Sequence, residues 1–311
     1  MKADQNADVL ARLIQGKSVD NCGLGAINNR IDLRGLVVPE PRVAKQLATK
    51  IADVAVLSGM TKFHEICLDS LDFTGSCLNN ILFFNCKINN CVFEKCLCQN
   101  WKLWGTTVSN ASFRLADLRN SALGGVQNDR TNTYQKVDFT EADLRQTKYI
   151  SARFNGCLFK ETQLNKVDFH GSTFVDCSFE GELREVCFNR KAFKMDMLPR
   201  NEMLRVDFSH AQLRSVEFRG LDLENVRFPT NDDHILLDDY PQMLDELLKS
   251  LRGQTDVAVR KLAAYLGVYR KWVGPKQRRG VLNKNDLIEI GGEKGLLRVL
   301  EIIKLNSTRQ P

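Results

Sequence analysis

Residues 61–123 read TKFHE ICLDS LDFTG SCLNN ILFFN CKINN CVFEK CLCQN WKLWG TTVSN ASFRL ADLRN SAL, and every fifth residue from Phe63 onward is apolar. These positions are Phe63, Leu68, Phe73, Leu78, Phe83, Ile88, Phe93, Cys98, Leu103, Val108, Phe113, Leu118 and Leu123. Two residues before each stands a second, mostly small residue, with Trp101 as the bulky exception. Residues of one face recur about every 3.6 positions in a helix and every two in a strand, so a period of five indicates a repeat structure.

The simplest geometry for this period turns the chain by about 90° every five residues, so that four pentapeptides complete one square coil. Residues twenty positions apart then stack, and each column should hold similar side chains. The sequence meets this requirement, because Phe73, Phe93 and Phe113 would form one column and Phe63 and Phe83 another.

The segments Ala116–Asn120 and Ala142–Gln146 read ADLRN and ADLRQ. They resemble the consensus of the pentapeptide-repeat family, which is Ala, then Asp or Asn, then Leu, then two variable residues. The resemblance implies a right-handed quadrilateral β-helix over residues 61–228. The expected fold class is therefore mainly β, a solenoid of pentapeptide repeats with an N-terminal helical cap and a C-terminal α-helical region.

Residues 1–60 are predicted to form the N-terminal cap and a partial first coil. Residues 5–15 have the pattern of a short amphipathic helix. Ile31–Val38 places Leu33 and Val38 in the same five-residue phase as Phe63, as a first coil would. Val43–Leu57 carries apolar residues at helical spacing and is expected to be a helix that caps the first end of the solenoid.

Two stretches without the period, residues 124–136 and 194–205, are predicted to be loops that project from the solenoid. Between them the repeat resumes at Phe139, and after them it finishes with Phe228. The repeats amount to about seven coils, or a rod roughly 35 Å long. The loops supply the candidate partner-binding residues Asn128, Arg130, Tyr134, Met195 and Met197.

Residues 229–311 have lost the period and are predicted to be helical. One helix is opened by Pro241 and ended by Gly253, a second runs from about Thr255 to Gly267, and residues 296–305 are apolar enough to dock as a third. The first two carry more apolar residues than a lone capping helix requires, which predicts that they pack on the last coil at Phe228 and also form a homodimer. These residues are Met243, Leu244, Leu247, Leu248, Leu251, Leu262, Ala263 and Leu266.

Residues 257–285 contain eight basic groups and no acidic one. Within them Leu262–Val268 resembles the first helix and turn of a helix-turn-helix motif. Two interpretations are open: a solvated basic face on a capping bundle, or a nucleic-acid site. The candidate polyanion-binding residues are Arg260, Lys261, Arg270, Lys271, Trp272, Lys276, Arg278 and Arg279.

No residue pattern points to catalysis, to a metal site or to a cofactor. The cysteines of the repeat occupy inward positions on different faces, where they pack as small apolar residues rather than gathering around zinc. Ten cysteines without a signal peptide favour a reducing, cytoplasmic location, and no run reaches the roughly 20 apolar residues of a membrane span. The sequence therefore predicts a protein that is not an enzyme.

Charge separates the functions that remain. The net charge is +6, but residues 61–228 hold 22 basic and 21 acidic groups. The leading hypothesis is a scaffold whose flat faces and loops bind a protein partner. The rival comes from the family resemblance, because quinolone-resistance members imitate DNA and engage a type II topoisomerase. Such mimicry needs an acidic surface, which a balanced solenoid lacks unless the charges are sorted onto different faces.

Overall fold

The computed structural model describes residues 1–40, 56–57, 60–127, 129–191 and 201–307. Short parallel strands stack along a solenoid, and in its first coils each strand pairs with the strand twenty residues later. Phe63 is aligned with Phe83, and Leu68 with Ile88. All thirteen inward positions of residues 61–123, and the small residues two places before them, are buried. The five-residue register and the mainly β solenoid are therefore confirmed.

The strands form four faces, which we number in chain order. Face 1 contains Val56–Leu57, Met60–His64, Ile81–Phe84, Lys102–Trp104, Lys148–Ile150, Asp168–His170, Cys187–Asn189 and Glu217–Arg219. Face 2 contains Cys67–Asp69, Lys87–Asn89, Thr107–Ser109, Thr133–Gln135, Arg153–Asn155, Thr173–Val175 and Met203–Leu204. The seven strands of face 2 agree with the expected number of coils.

Face 3 contains Ala26–Ile27, Arg30–Asp32, Leu71–Asp72, Leu158–Lys160, Ser178–Arg184, Val206–Arg214 and Val226–Arg227. Isolated parallel bridges at Val92, Ser112 and Asp138 connect its two halves. Face 4 is built mainly from such bridges, which link Val37, Cys77, Leu97, Asp117, Asp143 and Gln163. The second halves of Ser178–Arg184 and Val206–Arg214 continue face 4, with Leu183 aligned with Leu213.

The corners between faces explain the asparagines of the sequence. Most corners of the coil hold a residue with positive φ, and asparagine tolerates that conformation better than most side chains do. Asn80, Asn85, Asn90, Asn100, Asn110 and Asn120 all have φ between 49° and 62° at such corners. Their amides also bond from coil to coil, as Asn100 Nδ2 does when it donates to Asn80 Oδ1 at 2.8 Å.

A column of eight stacked phenylalanines runs through the core behind face 3. Its members are Phe73, Phe93, Phe113, Phe139, Phe159, Phe179, Phe208 and Phe228. Neighbouring ring centroids lie between 4.6 Å, for Phe159 and Phe179, and 6.4 Å, for Phe208 and Phe228. The predicted stacking of Phe73, Phe93 and Phe113 is thus confirmed, and it extends through the coils that follow both insertions.

The inward cysteines are packed as core residues. Cys86, Cys91 and Cys96 are at most 1% exposed, and each thiol donates to a backbone carbonyl of the preceding coil. Burial raises the pKa of the Cys91 thiol to about 12, so the group stays protonated at neutral pH. These side chains act as small apolar fillers between the larger inward residues.

The first insertion is shorter than predicted. Val108 pairs with Tyr134, 26 residues later instead of 20, so only six residues are added to this coil. They form a hairpin of Val126–Gln127 and Arg130–Thr131. Tyr134 is 1% exposed and donates its hydroxyl to the Leu123 carbonyl at 2.6 Å. The loop boundary at residue 136 was wrong, because Tyr134 is already an inward repeat residue five positions before Phe139.

The second insertion has the same kind of boundary error. Met203, which was assigned to the loop, is buried behind face 2 and aligned with Phe174. Residues 192–200, which include Met195 and Met197, lie outside the described residues.

The first end of the solenoid is closed by helix α1, Ala3–Ile14, whose Val9, Leu10 and Leu13 join the solenoid core. Ile31–Val38 is a first coil as predicted, with Leu33 and Val38 buried. The helix expected over Val43–Leu57 lies outside the described residues, except for Val56–Leu57. Those two residues form a strand that pairs with Met60–Thr61, so the helix prediction was wrong there.

The C-terminal region contains helices α2, Tyr240–Leu251, α3, Val257–Trp272, and α4, Lys284–Ser307, which is kinked at Gly292. A two-stranded sheet of His234–Leu237 and Gly280–Asn283 ties it to the solenoid. Gly267 does not end α3, which continues for five more residues. The helix-turn-helix interpretation was therefore wrong, because its proposed turn lies inside one continuous helix.

The apolar stripes of this region face each other. Leu244, Leu247, Leu251, Leu262 and Leu266 are at most 2% exposed in a second core that α4 completes with Leu287, Val299 and Ile302. The surface from which a homodimer was inferred is thus covered within one chain. Among the described residues, no helix combines the length and apolar character that a bilayer-spanning segment requires.

Polar contacts hold the helical region on the last coils. Arg214 Nε donates to Asp286 Oδ1 at 2.6 Å, and the backbone N–H of Gly220 donates to the Trp272 carbonyl at 2.9 Å. His234 Nε2 accepts the backbone N–H of Leu213 at 3.1 Å, while its Nδ1 lies 2.6 Å from Asn231 Oδ1. This arrangement requires a neutral imidazole with its proton on Nδ1.

Substitution of one ring of the column tests the core. Phe93 lies between Phe73 at 5.0 Å and Phe113 at 4.8 Å. Phe93→Ala should cost about 3–5 kcal/mol, because it opens a cavity between two fixed rings. The exposed Lys87→Ala control should stay within about 0.5 kcal/mol. Chemical denaturation measures both variants, and equal small losses would contradict the register.

The junction should weaken in mild acid. Burial lowers the pKa of the His234 imidazole below its ordinary value of 6.5, a shift that Asp233 and Asp286 oppose. The stability that neutral His234 contributes is present above about pH 6.5 and is lost as the pH falls through the lowered folded-state pKa. His234→Gln should therefore flatten the decline of the melting midpoint between about pH 7.5 and 5. Parallel pH curves for the two proteins would contradict this role.

Candidate partner-binding face

Face 1 carries a column of aromatic and aliphatic side chains on its outer surface. Alternate strand residues point outward, and coil stacking brings together those that follow each inward residue. In the first three coils they are His64, Phe84 and Trp104. The rings of His64 and Phe84 are stacked with centroids 5.1 Å apart, and Trp104 meets Phe84 edge-on at 6.3 Å. Trp104 is 37% exposed, in contrast to Trp101 in the core, which is 1% exposed.

A second outward column on the same face alternates basic and apolar residues. Its members, coil by coil, are Lys62, Leu82, Lys102, Ala122 and Lys148. The Lys62 ammonium lies 5.6 Å from the centroid of Phe84. Within the part of the chain that the structure describes, Lys102 and Lys148 form no ion pair. We call this region the aromatic–lysine surface: Lys62, His64, Leu82, Phe84, Lys102, Trp104, Lys148 and Ile150. Within it Leu82 is only 8% exposed and Phe84 is half-buried.

The outward strand positions of the aromatic–lysine surface include no carboxylate. The nearest one is at the corner, where Glu65 Oε1 lies 3.7 Å from His64 Nε2. The surface is therefore basic as well as apolar, although the solenoid as a whole is nearly neutral.

The aromatic column is interrupted for one coil at Gly124. Gly124 is buried between the coils of Trp104 and Ile150, and Ile150 is 36% exposed. A Cβ at Gly124 would collide with the backbone of Tyr149 and Ile150, so only glycine fits there. A Cβ on Gly125 would approach Trp104 Cδ1 to 3.2 Å. The hairpin of Val126–Gln127 and Arg130–Thr131 leaves the coil directly after these two glycines.

The remaining coils of face 1 are polar and internally paired. Asp168 Oδ2 lies 3.1 Å from His170 Nε2, Asn189 donates to Asp168 Oδ1 at 2.7 Å, and Arg219 donates to Glu217 at 2.8 Å. Burial raises the pKa of Asp168 and lowers that of His170, and the attraction between the two opposes both shifts. Burial also raises the pKa of the neighbouring Cys187 thiol, so this cluster holds no activated nucleophile.

The acidic groups of face 4 are neutralised by arginines on the same coils. Arg119 Nη2 lies 2.7 Å from Asp117 Oδ2, and Arg145 Nη2 lies 2.6 Å from Asp143 Oδ2. Face 2 carries polar ladders instead, in which Asn89 donates to Asp69 at 2.6 Å and Ser109 donates to Asn89 at 2.8 Å. Neither face repeats the combination of unpaired cations and exposed aromatic rings found on face 1.

The loop residues named from the sequence have different positions. Arg130 is exposed on the hairpin, beside Gly105. Tyr134 is in the core, so it is not available to a partner. Asn128, Met195 and Met197 lie outside the described residues.

The basic C-terminal residues do not form one site. Arg270 is bound to Asp245 at 2.8 Å and 2.9 Å, and Arg279 lies 3.4 Å from Asp238 while donating to the carbonyls of Glu224 and Val226. Trp272 is flanked by Arg219 at 4.6 Å and Lys271 at 5.4 Å, in contact with the last coils. The other four candidates, all exposed, are Arg260, Lys261, Lys276 and Arg278.

Sequence reasoning did not find the aromatic–lysine surface, although the signal was present. The five-residue period concerns the inward residues of each pentapeptide, whereas this surface is made of the outward ones. Comparison of residues twenty positions apart would have aligned His64, Phe84 and Trp104. Placing Ile150 in the same column also requires knowing that the insertion adds six residues, which only the strand pairing reveals.

Residues 138–181 match the family model described as pentapeptide repeats, in 8 copies. No functionally curated protein matches the chain. Among solved structures, the chain is similar to full-length QnrB1, described as a plasmid-mediated fluoroquinolone resistance protein. The two share 15% identity with a TM-score of 0.19, over 54% of this chain and 94% of that one.

Two cyanobacterial proteins are also similar. HetL from Nostoc sp. strain PCC 7120, a pentapeptide repeat protein involved in regulating heterocyst differentiation, shares 16% identity with a TM-score of 0.20, over 60% of this chain and 92% of that one. Rfr23 from Cyanothece 51142 shares 11% identity with a TM-score of 0.16, over 54% of this chain and 87% of that one. Likenesses this weak carry no argument about a partner.

Removal of the hairpin should leave the solenoid intact. Deletion of residues 126–131 restores the 20-residue spacing between Val108 and Tyr134. The deletion joins Gly125 to Asn132, which lie at the base of the hairpin because the adjacent Val126 and Thr131 pair with each other. We expect a change in unfolding free energy below about 1 kcal/mol.

Tyr134→Ala is the matched control, and it should cost about 3–5 kcal/mol because it empties an inward position. Thermal and chemical denaturation measure both proteins. A large loss for the deletion combined with a small loss for Tyr134→Ala would show that the hairpin, and not Tyr134, belongs to the core.

Proposed function

We propose that this chain, whose residues 138–181 match the pentapeptide-repeat model, is a non-enzymatic scaffold that binds a protein partner through face 1 and the adjacent hairpin. The observation that carries the proposal is the aromatic–lysine surface. It combines the exposed rings of His64 and Trp104 and the half-buried ring of Phe84 with the unpaired Lys102 and Lys148, whereas the other coils of face 1 pair their charges internally.

The energetics of binding favour this surface. Aromatic residues, Trp among them, contribute much of the binding energy of protein interfaces, since they bury a large area with few rotatable bonds. The strands beneath Phe84 and Trp104 are bonded to the coils on both sides. A partner therefore orders only side chains on binding, which keeps the entropic cost low.

Catalysis has little support in the same region. The Asp168–His170 pair lies beside a thiol whose pKa is raised, and the described residues contain no group of three side chains placed to hold a metal ion. A surface of side chains at regular intervals, without a cleft that excludes water, suits recognition better than chemistry.

DNA mimicry, with a type II topoisomerase as the partner, is the second candidate from the sequence. It requires a continuous acidic surface, and the carboxylates of face 4 are instead held by Arg119 and Arg145. Nucleic-acid binding by residues 257–285 is weakened in a similar way, because Arg270 and Arg279 are engaged within the chain. A homodimer is not part of the proposal, since the apolar stripes of the helical region are covered.

The same proposal includes a cytoplasmic, reducing location. Cys67 is an exposed free thiol, and Cys22 and Cys77 are partly exposed. Accessible thiols such as these are prone to form unwanted disulfides in an oxidising compartment.

Photo-cross-linking in the native lysate tests this function. Trp104 is replaced by benzoylphenylalanine in the full chain, and Leu97 on face 4, which is 46% exposed, is replaced as the control. We expect a cross-linked protein from position 104 that unlabelled chain competes away, and none from position 97. Equal cross-linking from both positions, or cross-linking from position 97 alone, would contradict binding through face 1.

A further inference from the structure

We propose that the aromatic–lysine surface takes an acidic amphipathic α-helix of the partner protein, lying parallel to the solenoid axis. This inference rests on the proposed function and adds the chemistry and the shape of the partner element. Three features carry it: the width of the face, the spacing of its rungs and the alternation of its charges.

The width of the face limits the direction in which a helix or strand of the partner can lie on it. Each strand of the surface is three to five residues long, as in Lys102–Trp104, so the face is roughly 10–17 Å wide. An α-helix with its side chains is about 10–12 Å across, which matches that width. An element that contacts several coils must then run along the axis, across the rungs.

The spacing of the rungs favours a helix over a strand. Successive coils are about 4.8 Å apart, and one turn of a helix rises about 5.4 Å. From Phe84 to Ile150 there are three coil steps, or about 14 Å, compared with about 16 Å for three helical turns. Along a strand, residues that point to the same side are about 6.7 Å apart. Three such intervals span about 20 Å, so these residues would not align with successive coils. A helix with one apolar residue per turn can therefore follow the aromatic column.

The charges fit the same element. Lys62, Lys102 and Lys148 stand two coils apart, or about 9.6 Å, with the apolar Leu82 and Ala122 between them. Positions i and i+7 of a helix are about 10.5 Å apart on one side. Acidic residues at seven-residue intervals would meet the three ammonium groups while the adjacent apolar stripe covers Phe84 and Trp104. Such a helix has the i, i+3, i+4, i+7 pattern of groove-binding segments.

Other occupants fit less well. A single-stranded nucleic acid would gain stacking on Trp104, but three lysines and no arginine offer little to a polyphosphate, and Leu82 and Ile150 offer nothing to it. A second copy of this chain would bring one basic surface against another like it. Both remain outcomes of the test.

The test uses the full chain and four fluorescent probes. The first is an 18-residue peptide with Leu at positions i, i+3, i+4 and i+7 and Glu on the flanking positions. The second has the same composition in scrambled order, the third replaces Glu with Lys, and the fourth is a single-stranded oligothymidylate. Anisotropy measures affinity, and sedimentation of the chain alone reports self-association.

We expect the first peptide to bind, and the scrambled and lysine peptides to bind at least about tenfold more weakly. Trp104→Ala and the double variant Lys102→Glu, Lys148→Glu should each weaken binding by about tenfold or more. The control Lys87→Glu, an exposed lysine on face 2, should leave affinity unchanged. Circular dichroism melts verify that the variants fold, and Trp104→Phe should recover most of the affinity if the ring is the contact.

Three results would overturn the inference: equal binding of the ordered and scrambled peptides, tighter binding of the oligonucleotide than of the peptide, or self-association that Trp104→Ala abolishes. If the peptide fails to bind while cross-linking from position 104 to a lysate protein persists, the partner is not an acidic helix and the proposed function stands. If position 104 yields no specific cross-link and the peptide also fails to bind, both are wrong.

Discussion

Stacking of each coil on the previous one is the constraint on which this structure depends. A coil of four pentapeptides cannot bury its inward residues alone, so every inward side chain must fit the equivalent one a coil away. The phenylalanine column meets this demand with flat rings at similar distances from Phe73 to Phe228. At most corners the backbone turns at a residue with positive φ, which explains the asparagines there.

The same constraint organises the outer surface. When inward residues stack in register, outward residues stack too, and any similarity among them becomes a continuous stripe. His64, Phe84 and Trp104 are far apart in sequence but form one contiguous column of rings. Hydrophobic stabilisation of the core does not need these rings, because the inward positions are already filled. Their position on the outer surface supports the proposed role in recognition, since large exposed apolar patches mark interaction sites.

Features that depend on local sequence patterns could be predicted from the sequence. The inward register, the first coil at Ile31–Val38 and the start of α3 beside Asp256 all follow from local patterns, and Asp256 does accept hydrogen bonds from Ala258 and Val259. Predictions failed where local composition and long-range packing disagree. Tyr134 and Met203 stand at the ends of polar insertions, so their membership of the core shows only through pairing with strands 26 and 29 residues earlier. Gly267 is helical because packing around Leu262 and Leu266 outweighs its weak propensity.

The three tryptophans can test whether a partner binds through face 1, because each lies in a different environment. Trp101 is 1% exposed in the core, Trp104 is 37% exposed on face 1, and Trp272 is 41% exposed beside the basic C-terminal residues. The most direct measurement is the ¹⁹F NMR spectrum of the 5-fluorotryptophan-labelled chain, assigned by single Trp→Phe variants, with and without the captured partner. Recognition through face 1 predicts a shift of the Trp104 resonance, while those of Trp101 and Trp272 stay in place. A shift of Trp272 with Trp104 unmoved would contradict it and locate binding in the helical region.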